Sequence, residues 1–123
     1  MISRRASAAI AIAAVTLSAA HAGEAQKQDA PRYRMLVFET RNCFYCDHFR
    51  YAVAPVYQNS KFAAKAPLQY VDVRQTDMKR LGLNAPITIA PTTVLTRDGK
   101  EVNRIAGVTG PQDFLVLVDH MID

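Results

Sequence analysis

Cys43 and Cys46 are the only two cysteines in the 123-residue chain, and only Phe44 and Tyr45 separate them. A pair this close is a poor staple. The loop-closure estimate is about 2 kcal/mol for a loop of roughly four residues and about 4.7 kcal/mol for a hundred. Close spacing suits exchange chemistry. One thiolate attacks a foreign disulfide, and the second, within reach, resolves the mixed disulfide. Other readings of the pair are weaker. A c-type haem site needs His directly after the second Cys, and here Asp47 precedes His48. A structural zinc needs four ligands, and only Cys43, Cys46, His48 and His120 are on offer. Two thiolates also suit Cu(I), with His48 as a third ligand, so a copper carrier stands as an alternative. A non-catalytic binding module with a fixed disulfide is a further one.

The elements that must position the pair follow from periodicity. Met35, Leu36, Val37 and Phe38 form a short continuous apolar run, the pattern of a strand buried on both faces. From Cys43 to about Gln58 the pattern is helical, with Phe49, Val53, Val56 and Tyr57 at three- and four-residue steps. Pro55 should kink or end that helix near Ala54. A second strand spans residues 68–73, and residues 77–83 suit a short helix. Two strand-like runs, residues 92–96 and 101–105, flank Asp98-Gly99, a strong hairpin signal. Pro111 opens a last helix, striped with Phe114, Leu115, Val118, Met121 and Ile122. Strand–helix–strand implies a right-handed parallel pair, and the hairpin adds an antiparallel one. The expected fold is α/β: a mixed four-stranded sheet with helices on both faces.

The front of the chain reads as a targeting signal. Arg4 and Arg5 precede an Ala-rich apolar run, and Ala20-His21-Ala22 fits a small-x-small cleavage site. The domain reading is therefore a signal peptide over 1–22, a flexible polar leader over 23–32, and one compact domain over 33–123. In a bacterium such a chain reaches the periplasm, where disulfide chemistry is permitted. Cleavage after Ala22 removes two of the 15 basic residues and none of the 11 acidic ones, so the formal charge falls from +4 to about +2. No cluster of five or more basic residues exists, which gives nucleic-acid binding little support.

The cysteines thus fall where the first strand ends and the first helix begins. Unpaired N–H groups and the positive end of the helix dipole favour a thiolate there. At such sites the nucleophile's pKa falls from about 8.5 to about 3.5–7.5. Cys43 should be the more exposed, attacking thiol, and Cys46, one turn in, the resolving one. Arg41 adds positive charge near Cys43, while Glu39 and Asp47 push the other way.

This arrangement resembles the thioredoxin superfamily over about residues 33–122. The carrying features are Cys43-Phe44-Tyr45-Cys46 after a buried strand, Ala90-Pro91-Thr92 opening the third strand, Asp98-Gly99 in the hairpin, and Gly107 before the last helix. The resemblance implies a thioredoxin-like fold with sheet order 2-1-3-4 and a cis bond before Pro91, Pro86 being the rival cis candidate. It implies that Ala90 offers backbone groups to a substrate strand. A closer likeness is to short periplasmic thioredoxin-like proteins encoded with bacterial sulfur-oxidation systems. It is carried by Phe38-Glu39, the cysteine motif, Ala54-Pro55, Ala66-Pro67-Leu68, Val71-Asp72, Pro91-Thr92, and Asp98 through Val102. That likeness implies a monomeric thiol reductant. Its partners would be a disulfide-containing periplasmic protein and an inner-membrane electron donor, and it would need no cofactor beyond the dithiol. Two departures matter. Cytosolic thioredoxin has a buried Asp where Val37 stands, so proton transfer at Cys46 needs another agent, and Glu39, two residues further along the same strand, is the acidic candidate. Phe44 and Tyr45 replace the Pro-His pair of strong oxidants, which favours a reductant, and the two rings offer an apolar docking rim.

Overall fold

The computed structural model describes residues 30–122. The expected signal peptide and most of the leader lie outside the described residues. Four strands form one sheet: β1 (Tyr33–Glu39), β2 (Leu68–Asp72), β3 (Thr92–Arg97) and β4 (Lys100–Ala106), in the order β2-β1-β3-β4. β1 pairs in parallel with β2, Met35 opposite Leu68, and antiparallel with β3, Leu36 opposite Val94. β3 and β4 form the antiparallel hairpin. This is the thioredoxin-like order, with β1 and β3 as the central strands.

Successive side chains on a strand point to opposite faces, and β1 shows why its run is apolar throughout. Met35 and Val37 enter a core with Phe49, Val53, Tyr57, Phe114 and Val118. Leu36 and Phe38 enter a second core with Val71 and Val94. Three helices cover the first face: α1 (Phe44–His48), α2 (Ala54–Gln58) and α3 (Pro111–Met121). The Phe114 ring of α3 meets Phe49 and Tyr57 edge-on, centroids 5.4 and 5.7 Å apart. The Tyr57 hydroxyl donates to the Ala66 carbonyl at 2.5 Å, and burial pushes its phenol pKa up.

Two local expectations are corrected. The first concerns Pro55, expected to kink or end the helix near Ala54: the helical path does change at Ala54, but it continues past Pro55. A five-residue π turn, Phe49–Val53, joins α1 to α2, and the Ala54 N–H donates to the Phe49 carbonyl, five residues back. The wider turn lets α-helical bonding restart at Ala54, with Pro55 in the new first turn, where a missing N–H costs nothing. The second concerns the other sheet face. In place of a helix over 77–83 there is one 3₁₀ turn, Met78–Arg80, capped by the Asp77 carboxylate. Gly82 ends it at φ +63°, where a Cβ would lie 2.2 Å from the Gly99 carbonyl oxygen. Met78, Leu81, Leu83 and Ile87 cover that face as an irregular segment.

The hairpin is as tight as its sequence suggests. Asp98 (φ 51°) and Gly99 (φ 81°) are the two loop residues between paired Arg97 and Lys100, the twist that suits two-residue hairpins. No helix among the described residues is long and apolar enough to cross a membrane.

Candidate active site

The chain leaves β1 at Glu39, turns through Asn42 at φ 53°, and enters α1 at Phe44. Cys43 is the helix N-cap. Its sulfur accepts a hydrogen bond from the Cys46 backbone N–H at 3.1 Å. An N–H aimed at this sulfur favours its anionic form once the disulfide opens. In this structure Cys43 and Cys46 are joined as a disulfide. Cys43 is partly exposed, while Cys46, turned inward, is 3 % exposed.

The second wall comes from the segment before β3. The Ala90–Pro91 peptide bond is cis, and the Ala90 carbonyl oxygen lies 3.7 Å from the Cys43 sulfur. A disulfide sulfur carries no proton, so this is a contact in the oxidised form; a Cys43 thiol would donate across it. The Thr92 hydroxyl donates to the Ile89 carbonyl at 2.6 Å, and the Gly107 N–H to the Pro91 carbonyl at 2.8 Å. These bonds hold the segment against the cysteines. A cavity of about 290 Å³ opens there, lined by Tyr45, Ile89, Ala90, Pro91, Gly107 and Val108. None of the six is charged.

Phe44 and Tyr45 are 77 % and 59 % exposed, and their rings meet edge-on at 5.5 Å. Only Tyr45 borders the cavity; Phe44 lies outside it. Val37 is fully buried among apolar side chains. Glu39 is already engaged. Its two oxygens accept from Arg50 Nε at 2.9 Å and Nη2 at 2.5 Å, and the Arg50 guanidinium carbon sits 3.7 Å from the Tyr70 ring centroid. That hydrogen bond is the main cause that raises the Arg50 pKa. Burial raises the Tyr70 phenol, with Arg50 acting against it. Among the described residues no group of three or more His, Cys, Asp and Glu side chains converges as a metal-binding set.

Sequence reasoning missed Ile89, Val108, Arg50 and Tyr70. Arg50 had a readable signal, since it stands four residues after Cys46 on a helix. Ile89 and Val108 had none beyond their nearness in sequence to Pro91 and Gly107.

The comparisons agree with this geometry. A family model of the thioredoxin-like domain matches residues 19–122. The periplasmic thioredoxin SoxS of Paracoccus pantotrophus, solved in its reduced form, is 30 % identical, with 72 % of this chain and 94 % of that one covered and a TM-score of 0.67. Two thioredoxins share the fold at lower identity. That of Fasciola hepatica is 23 % identical over 75 % of this chain and 83 % of that one, TM-score 0.57. That of Malassezia sympodialis is 18 % identical over 75 % and 76 %, TM-score 0.57. A search of curated protein sequences finds no match. With a Cys-x-x-Cys disulfide at the strand-to-helix junction and a matched domain over most of its length, the chain belongs to the thioredoxin-like family and is a thiol–disulfide oxidoreductase.

Proposed function

We propose that the chain is a periplasmic dithiol reductant of protein disulfides. One observation carries the division of labour: Cys43 is partly exposed, with its sulfur 3.7 Å from the Ala90 carbonyl oxygen, while Cys46 is buried. In the reduced protein the Cys43 thiolate attacks a partner disulfide. A Cys43–partner disulfide forms, and one partner sulfur leaves as a thiolate. Cys46, deprotonated, then attacks the Cys43 sulfur. The Cys43–Cys46 disulfide closes, the second partner sulfur leaves, and two electrons have passed to the partner. The Cys46 N–H stabilises the Cys43 thiolate at the start and when it is regenerated. Glu39 is the carboxylate assigned to the proton of Cys46. Ala90 and Pro91 receive the partner's backbone beside the sulfur, and Phe44 and Tyr45 form an apolar rim. One chain carries all these groups, so it works as a monomer, re-reduced by an inner-membrane electron donor.

The apparent signal peptide and the likeness to SoxS, itself described as a periplasmic thioredoxin, support the location. The absence of an imidazole between the cysteines supports the direction. Cys46→Ala leaves Cys43 without its resolving partner, so mixed disulfides should accumulate in periplasm and be recoverable. Recovering none while Cys43 reacts with a thiol reagent would sink the reading. A potential near about −120 mV, the range of a strong oxidant, would reverse the direction and leave the exchange chemistry intact.

A further inference from the structure

Arg50 has no part in the exchange just described, yet its position is specific. It follows Cys46 by four residues, Cys46 lying in α1 and Arg50 in the π turn that continues it, with the Phe49 N–H at the junction donating to the Cys46 and Tyr45 carbonyls. Side chains four apart share a helix face, with Cβ atoms about 5–6 Å apart. Cys46 is buried at one end of that face, and Arg50 reaches solvent at the other. Glu39 ends β1 four residues before Cys43, and by alternation it lies on the sheet face of Met35 and Val37, which the helices cover. The ion pair therefore runs from the strand before the cysteines to the helical turn after them. The Glu39 side chain is 20 % exposed and that of Arg50 45 %. Tyr70, opposite Val37 in β2, floors the guanidinium.

We propose that Arg50 and Glu39 are a positioning pair that sets the redox balance of the Cys43–Cys46 couple through two compensating charges. The inference rests on the exchange chemistry above. Together the pair is nearly neutral toward the sulfurs. Without Glu39 the guanidinium is uncompensated, which favours thiolate and so the reduced form. Without Arg50 the carboxylate is uncompensated, which disfavours both. Other charges nearby do not duplicate the pair. Asp47 also attracts Arg50, but as an exposed residue on the outer side of the helix. Asp72, opposite Glu39 in β2, is engaged by the Arg74 N–H. Arg41 and His48 are exposed.

The test is equilibration of the mature protein with glutathione, in which the dithiol and oxidised glutathione give the protein disulfide and two reduced glutathiones. At low salt E39Q should shift the equilibrium constant toward the dithiol, and R50Q toward the disulfide, each by about three- to tenfold for one partly solvated charge. The double variant E39Q/R50Q should return to within about twofold of wild type, and R50K should stay near wild type because the charge survives. A merely structural pair would lower thermal stability in both single variants without opposite redox shifts. Shifts of equal sign, or none, overturn the proposal. Should R50Q fail to fold, E39Q decides alone, and a shift toward the disulfide or no shift overturns it. The wild-type couple keeps the two readings apart. No reversible two-electron couple removes the exchange chemistry itself, whereas a couple indifferent to both charges removes only this inference.

Discussion

The chain builds the same bidentate Glu–Arg pair twice, and the two differ in everything around them. Arg50 grips Glu39 across the helix–sheet boundary and over the Tyr70 ring, tying the strand before the cysteines to the turn after them. Arg104 grips Glu101 within β4, Nε to Oε2 at 2.7 Å and Nη2 to Oε1 at 2.6 Å. Residues three apart on a strand normally face opposite sides. Here the register passes from Leu95–Asn103 to Thr96–Glu101, leaving Val102 unpaired, and that extra residue brings Glu101 and Arg104 to one side. The second pair also holds a loop. The Asn84 N–H donates to Glu101 at 3.0 Å, and Arg104 donates to the Ala85 and Pro86 carbonyls at 2.9 and 3.2 Å. The Glu101 side chain is 5 % exposed. One pair is thus a scaffold clamp on the segment that leads to Pro91, and the other is a half-exposed link between the strand before the cysteines and the turn after them. Pair geometry alone does not decide which; burial and the remaining partners do.

Removing the clamp should give the larger stability effect. R104M strands a buried carboxylate and two loop carbonyls. Breaking one side of a buried pair costs about 3–5 kcal/mol, and the partial exposure of Arg104 reduces that to about 2–3 kcal/mol. For a domain of this size the melting temperature should drop by roughly 10–20 °C. The glutathione equilibrium should stay within about twofold of wild type, since the clamp holds the loop and does not touch the sulfurs. A tenfold redox shift in R104M would erase the distinction between the pairs.

R50Q should do the reverse. Nearly half of the Arg50 side chain is in solvent, and exposed pairs contribute about 0.2–1 kcal/mol. Thermal unfolding should move by a few degrees while the redox balance moves toward the disulfide. A stability loss equal to that of R104M, measured by denaturant titration, would make Glu39–Arg50 a second clamp.

The two pairs also mark how far the sequence could be read. The cysteine motif at a strand-to-helix junction was legible because an apolar run, a polar break and a three-and-four-step pattern follow one another in residues 35–58. Asp98-Gly99 was legible because only a few residue pairs tolerate two positive φ angles. The Pro55 passage was not, because a π turn leaves no mark in hydrophobic spacing and only removes the penalty after the fact. The missing helix over 77–83 was half legible. Asp77 does cap a turn, but Gly82 sits against the hairpin carbonyl of Gly99, a long-range contact that no local pattern encodes. Glu39–Arg50 and Glu101–Arg104 need a strand face and a bulge to be known before their charges can be matched.

The smallest effect separates the pairs by pH. The hydrogen bonds from Arg104 are the leading cause that holds the Glu101 carboxyl below the usual carboxylate range, with burial acting against them and the Asn84 N–H adding to them. The folded-state pKa therefore lies below the unfolded one. This contribution is complete above the unfolded value, about 4.3 for Glu, and is lost as pH falls through the folded value. Stability measured by denaturant from pH 7 downward should decline over that acid window. The decline should be shallower in E101Q and in R104M, because neither variant can ionise or stabilise that carboxylate. Parallel curves for wild type and E101Q would mean that Glu101 gains nothing from Arg104 on folding. The clamp would then be hydrogen bonding to the loop carbonyls alone, with its carboxylate a spectator.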